Sequence, residues 1–150
     1  HGRDEELMLP EIHRFVLQVN EWRPDLGLPL ATITNQALRM LAAATAWIVV
    51  ALHLVFALAE SVGWSGMARR FGYDAKAVET TRALALNQGA YNAGLACVLA
   101  WALIAGHGAT VVALLAYVVA MAVVGGVSVR WTIFVIQGVP AVLALAARLV

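Results

Sequence analysis

An all-α integral membrane protein, an up-and-down bundle of four transmembrane helices behind an N-terminal tail with a short amphipathic helix, is the fold class that this sequence predicts. Composition is the first reason: 62% of the 150 residues are hydrophobic and 13% charged, whereas soluble domains run about 45–50% and roughly 25%. The second is the recurrence of nearly uncharged apolar runs of the length at which a helix crosses the hydrocarbon core, about 20 residues. The mean hydropathy of +0.80 fits a chain that has lipid as its main solvent.

Residues 1–39 differ from the rest and read as a tail. They hold most of the acids and three of the four prolines. Pro10 suits the first turn of a helix, and Ile12, Phe15, Val16, Val19 and Trp22 recur at helical spacing with Glu11, Arg14, Gln18 and Glu21 elsewhere on the wheel. Such a helix lies on the membrane surface, packs on the bundle or docks on a neighbouring membrane protein; Pro24, Gly27 and Pro29 end it. The acidic opening, with Asp4, Glu5 and Glu6, does not resemble a basic, cleavable signal peptide.

Residues 40–150 form the expected bundle. The first span runs from Met40 to Ala59, entered through Arg39 and closed by Glu60 and the glycines at 63 and 66. The second covers about Ala83 to Ala105, and the Gly106–Gly108 turn leads into a third from about Thr110 to Gly126. The fourth begins near Thr132 and carries Pro140, the expected site of a kink. Ala116xxxAla120, Ala122xxxGly126 and Gly89xxxAla93 have the small-residue spacing that lets helices approach closely. Lone Cys97, inside an apolar run, excludes an intrachain disulfide and a thiolate metal cage, and reads as a small packing residue.

Counting cations in short loops orients the bundle. Arg69, Arg70, Lys76 and Arg82 lie between spans one and two and Arg130 between three and four, while the opposite side has Arg39, Arg148 and the cations of the tail but none in the turn at 106–109. The expected placement is a multi-pass protein of the cell membrane with the Arg69/Arg70 loop in the cytoplasm and both termini outside. A net charge of +1 excludes the basic field that nucleic-acid binding requires.

Polar side chains inside spans are costly in lipid and each calls for a partner or a purpose. His53, Glu60 and Trp64 stand seven and eleven residues apart, within about 20° of one line on a helix of roughly 100° per residue. The second span carries Asn87, Gln88, Tyr91 and Asn92, and the fourth Gln137. Glu60, Asn87 and Gln137 each fall within about two turns of an arginine-bearing helix end, with His53 about 10 Å deeper, so these groups are expected to share one level near the cytoplasmic leaflet. Two readings stand side by side. In one, amides and hydroxyls bond across helices and Glu60 pairs with Arg130, Arg82 or His53. In the other the groups line a pocket.

No cofactor or metal is expected: His53 and Glu60 are only two ligands, and there is no phosphate loop or nucleophile elbow.

The segments HLVFALAESVGW, TRALALNQGAYNAGLA and FVIQGVPAVLALAA resemble the small bacterial integral membrane proteins catalogued as domain of unknown function thirteen-zero-four. The resemblance covers roughly Met40 to Val150 and implies a four-helix membrane protein without an assigned activity, some relatives carrying an epimerase label. It marks His53, Glu60, Asn87, Gln88, Tyr91, Asn92, Gln137 and Pro140 as characteristic positions, and the tail before Met40 departs from the family's compact pattern.

The function expected is binding of a lipid-like or hydrophobic small molecule in a polar pocket lined by Asn87, Gln88, Tyr91, Asn92, Gln137 and Trp64. The alternatives are an acid/base isomerase or epimerase using Glu60 and His53, and a non-catalytic accessory subunit of a larger membrane complex.

Overall fold

The structure, a computed structural model, describes residues 30–149, with side chains described over 33–148. The expected amphipathic helix of the tail lies outside the described residues. Residues Met40–Val150 gather into one compact unit, which is described by itself below.

Helix α1 (Leu30–Ser61) is already helical at the first described residue, ten residues before the expected first span. A short helix, α2 (Trp64–Arg70), follows. It occupies part of what the sequence reads as a loop, too short and too glycine-rich for periodicity to reveal. Helix α3 (Ala75–Ile104) also begins earlier than expected. Asp74 caps it, its carboxylate accepting from the backbone N–H of Ala77 at 2.7 Å, and this satisfied N-terminus lets the helix start within polar sequence. Lys76 and Arg82 therefore sit on α3 rather than in a loop.

Gly106, at φ +72°, makes the reversal after α3. A residue with a Cβ is strained there. Helix α4 (Gly108–Ser128) follows, and the last rod comprises α5 (Trp131–Ile133), a π-helical turn (Phe134–Gly138) and α6 (Val139–Leu149). The irregularity expected at Pro140 thus appears as a π turn just before it. Proline cannot donate to the carbonyl of Ile136, and its ring crowds that oxygen; widening the preceding turn relieves both problems.

Ile33–Ser61, Gly108–Ser128 and Trp131–Arg148 are long and apolar enough to cross a membrane. Helix α3 has the length, at 30 residues, but its NQGAYN run makes it less apolar. The fold is an all-helical membrane bundle of four rods.

One face of each rod meets the others. On α1 the buried positions are Ala42, Thr45, Ala46, Val49, Val50, His53 and Ala57; on α3 they are Ala85, Gly89, Asn92, Ala96, Leu99 and Ala102. Val111, Leu115, Val118 and Ala122 of α4 and Gly138, Ala141 and Ala144 of the last rod complete the core. These steps of three and four residues are the periodicity of one helical stripe. Most of the residues are alanine, glycine or valine, so cohesion comes from close backbone approach rather than bulky side chains. Leu54, Val55, Leu58, Leu86 and Val98 face outward, as a lipid solvent requires.

The α4 helix and the last rod approach each other closely. A Cβ on Gly126 would stand 2.8 Å from that of Phe134, and one on Gly138 would stand 3.1 Å from that of Ala122. The Ala122xxxGly126 spacing is therefore a packing contact, whereas Ala116 and Ala120 are exposed. Cys97 is also exposed rather than packed in the core.

Candidate functional site

The hydroxyl groups of Thr45, Thr80, Thr81 and Ser128 are satisfied within their own helices. Thr45 Oγ1 donates to Leu41 O at 2.7 Å, Thr81 Oγ1 to Ala77 O at 2.6 Å and Ser128 Oγ to Val124 O at 2.6 Å. This i−4 back-bonding removes their need for a partner elsewhere. What remains polar and unmatched stands out by contrast.

Among the described residues a single hydrogen bond joins two side chains. Asn92 Nδ2 donates to Glu60 Oε2 at 2.7 Å, bridging α3 and α1. Asn92 is buried and Glu60 half-buried. The carboxylate thus finds an amide in place of the expected Arg82, Arg130 or His53; the guanidinium of Arg130 lies instead over the ring of Phe71, 5.7 Å from its centroid. Gly89 makes the crossing possible: a Cβ there would meet Ser61 Oγ and lie 3.0 Å from the carbonyl of Ala57.

Two turns deeper on the same stripe, His53 is 1% exposed. Its Nδ1 lies 2.8 Å from Val49 O. A carbonyl only accepts, so Nδ1 carries the hydrogen and in the neutral ring Nε2 presents a lone pair. That Nε2 is buried and has no hydrogen-bond partner among the described residues. Phe56 touches the imidazole edge-on at 5.7 Å between centroids.

Trp64 continues the stripe beyond the end of α1. Its Nε1 donates to Val78 O at 3.2 Å, and its ring meets Tyr73 edge-to-face at 5.9 Å, so it fastens α2 against the start of α3.

The remaining predicted site residues do not join this cluster. Asn87, Gln88 and Tyr91 are exposed, outside the core stripe of α3, with Gln88 on its margin. Gln137, in the π turn of the last rod, is half-buried and makes no hydrogen bond to a described residue. Of the eight positions, His53, Glu60 and Asn92 face the seam between α1 and α3, with Trp64 at its end. Among the described residues no three or more His, Cys, Asp or Glu side chains come together as a metal site.

Comparison with known families agrees with the resemblance in the sequence. A family profile described as "Protein of unknown function (DUF1304)" matches residues 47–149, more than two thirds of the chain. The chain belongs to the DUF1304 family. No curated protein and no solved structure matches it. The DUF1304 match begins at Trp47, within α1, and takes in His53, Glu60, Asn92 and the core residues of the three later rods.

Proposed function

We propose that this DUF1304 protein binds a small, largely apolar molecule whose polar end carries a hydrogen-bond donor, at the seam formed by His53, Glu60 and Asn92. The observation that carries this reading is the buried, unpaired Nε2 of His53. A buried acceptor without a donor costs about 1–3 kcal/mol, and in an apolar bundle water is the poorer candidate to supply it. A ligand hydroxyl or N–H would recover that energy, while the alanine-rich walls accept its apolar part.

Recognition fits the spacing better than proton transfer does. Abstracting and returning a proton on opposite faces of one carbon needs both groups within about 3 Å of the reacting atoms. His53 and Glu60 are seven residues apart on one helix, about 10 Å along its axis, and helical side chains lean the same way. Glu60 is already engaged by Asn92.

Protein extracted from its native membrane in mild detergent is expected to carry a bound molecule visible by native mass spectrometry. His53→Leu should remove that molecule while leaving the helical circular dichroism intact. Equal occupancy in the wild type and His53→Leu, or no bound molecule in either, would sink the reading.

The cation count favours placing the Arg69/Arg70 end in the cytoplasm, with the site opening toward that leaflet and both termini outside. In a Cys97→Ala background, Ser65→Cys is then expected to resist a membrane-impermeant maleimide until cells are lysed, and Ala109→Cys to react on intact spheroplasts. The reverse pattern inverts the topology.

A further inference from the structure

The end of the bundle carrying α2 is more than a set of connections. Arg69, Arg70, Lys76, Arg82 and Arg130 are all exposed there. The acids of the same segments are Asp74 and Glu79, so five cations against two anions leave three positive charges. One of those acids, Asp74, is occupied in capping α3. The turn between α3 and α4, at the other end of those helices, has no lysine or arginine.

This end is also built rather than loose. Trp64 ties α2 to α3 through Val78, and Arg69 Nε donates to Ser65 O at 3.1 Å. Phe71 closes α2, its N–H directed to the last carbonyls of that helix. Arg130, between α4 and α5, places its guanidinium over the Phe71 ring and so brings the two connections together. The Arg130 side chain makes no hydrogen bond to a described residue, so its N–H donors are available to grip a phosphate. Flanking Arg130 are Val127, 86% exposed, Val129, 76%, and Trp131, 69%. Apolar groups this open beside a cation suit acyl chains beneath a headgroup and serve no purpose for a soluble anion.

We propose that this end seats an acidic phospholipid, its phosphate on Arg130 with Arg69 and Arg70 nearby, and its chains along Val127, Val129 and Trp131. Four to eight cations clustered at a membrane boundary recognise anionic lipid, each contributing roughly fivefold in affinity. The site is separate from the His53 seam and does not depend on the ligand proposed there.

The test uses the full chain, delipidated in neutral detergent and offered equal amounts of phosphatidylglycerol and phosphatidylcholine, with retained lipid counted by native mass spectrometry. Phosphatidylglycerol is expected to be kept in clear preference, and Arg130→Gln to weaken its retention about fivefold. Arg130→Lys, which keeps the charge but loses the forked donors of the guanidinium, should recover only part. The double variant Arg69→Gln, Arg70→Gln, on an exposed helix, provides a second reading should Arg130→Gln fail to fold. His53→Leu should leave retention unchanged. Equal retention of the two lipids, or no loss in both the Arg130→Gln and the double variant, overturns the proposal. So does inorganic phosphate raising the melting temperature as much as phosphatidylglycerol, since that would make the site one for a free anion.

Discussion

Gly89→Val is expected to destabilise the bundle more than any other single change at the α1–α3 seam. The first added carbon would meet Ser61 Oγ and stand 3.0 Å from Ala57 O and 3.2 Å from Ser61 N. Two of these three are backbone atoms of a regular helix, so no side-chain rotation relieves the contact, and the two rods must move apart. Overpacking of this kind typically costs about 1–3 kcal/mol. The upper part of that range applies here, because separating the rods also breaks the Asn92–Glu60 hydrogen bond. Thermal unfolding in detergent, followed by helical circular dichroism, measures it. Gly94→Val is the control on the same helix: nothing lies within 4 Å of a Cβ at that position, so only the loss of glycine registers. Equal melting temperatures for the two variants would refute the seam as described.

The second large effect is expected at Asn92. Asn92→Leu fills the space but withdraws the donor, leaving Glu60 Oε2 half-buried against apolar neighbours. An acceptor stranded in this way costs about 1–3 kcal/mol, more when it is charged. Adding Glu60→Met to Asn92→Leu should return most of the lost stability, because the pair is then replaced by apolar groups of similar size. The coupling measured in this double-mutant cycle should fall within the roughly 0.5–3 kcal/mol seen for residues in contact. Strictly additive effects would mean that the bond contributes nothing to holding α1 against α3. The same cycle bears on function, since Glu60→Met alone, with Asn92 intact, tests whether the carboxylate itself contacts the bound molecule.

Much of the architecture was legible before any coordinate. Apolar length and charge placement locate all four rods, because a bilayer demands uninterrupted helices and tolerates few charges within them. Hydrophobicity alone misplaces a helix start for a physical reason: apolar sequence begins where lipid does, not where the helix is capped. Helices are ended by caps and breakers, not by lipid, and Asp74 sets the start of α3. The stripe of His53, Glu60 and Trp64 was also readable, since residues seven and eleven apart on any helix share a line.

The NQGAYN run shows where such reading stops. Asn87, Gln88, Tyr91 and Asn92 together span about 140° of α3, a polar face so wide that periodicity does not say which of them turns inward. The choice of Asn92 as the inward group was made by Gly89, three residues earlier, which alone lets the backbone of α1 approach. That preference exists only between two helices. The pairing of Glu60 with an amide, the placing of Arg130 over Phe71 and the isolation of His53 Nε2 have the same origin. Each depends on the distance between atoms far apart along the chain. The amino-acid sequence by itself determined how many rods form, how long they are and which side chains they carry. Tertiary packing decided which of those side chains meet, because close approach of backbones selects one face of each helix and turns the others toward lipid.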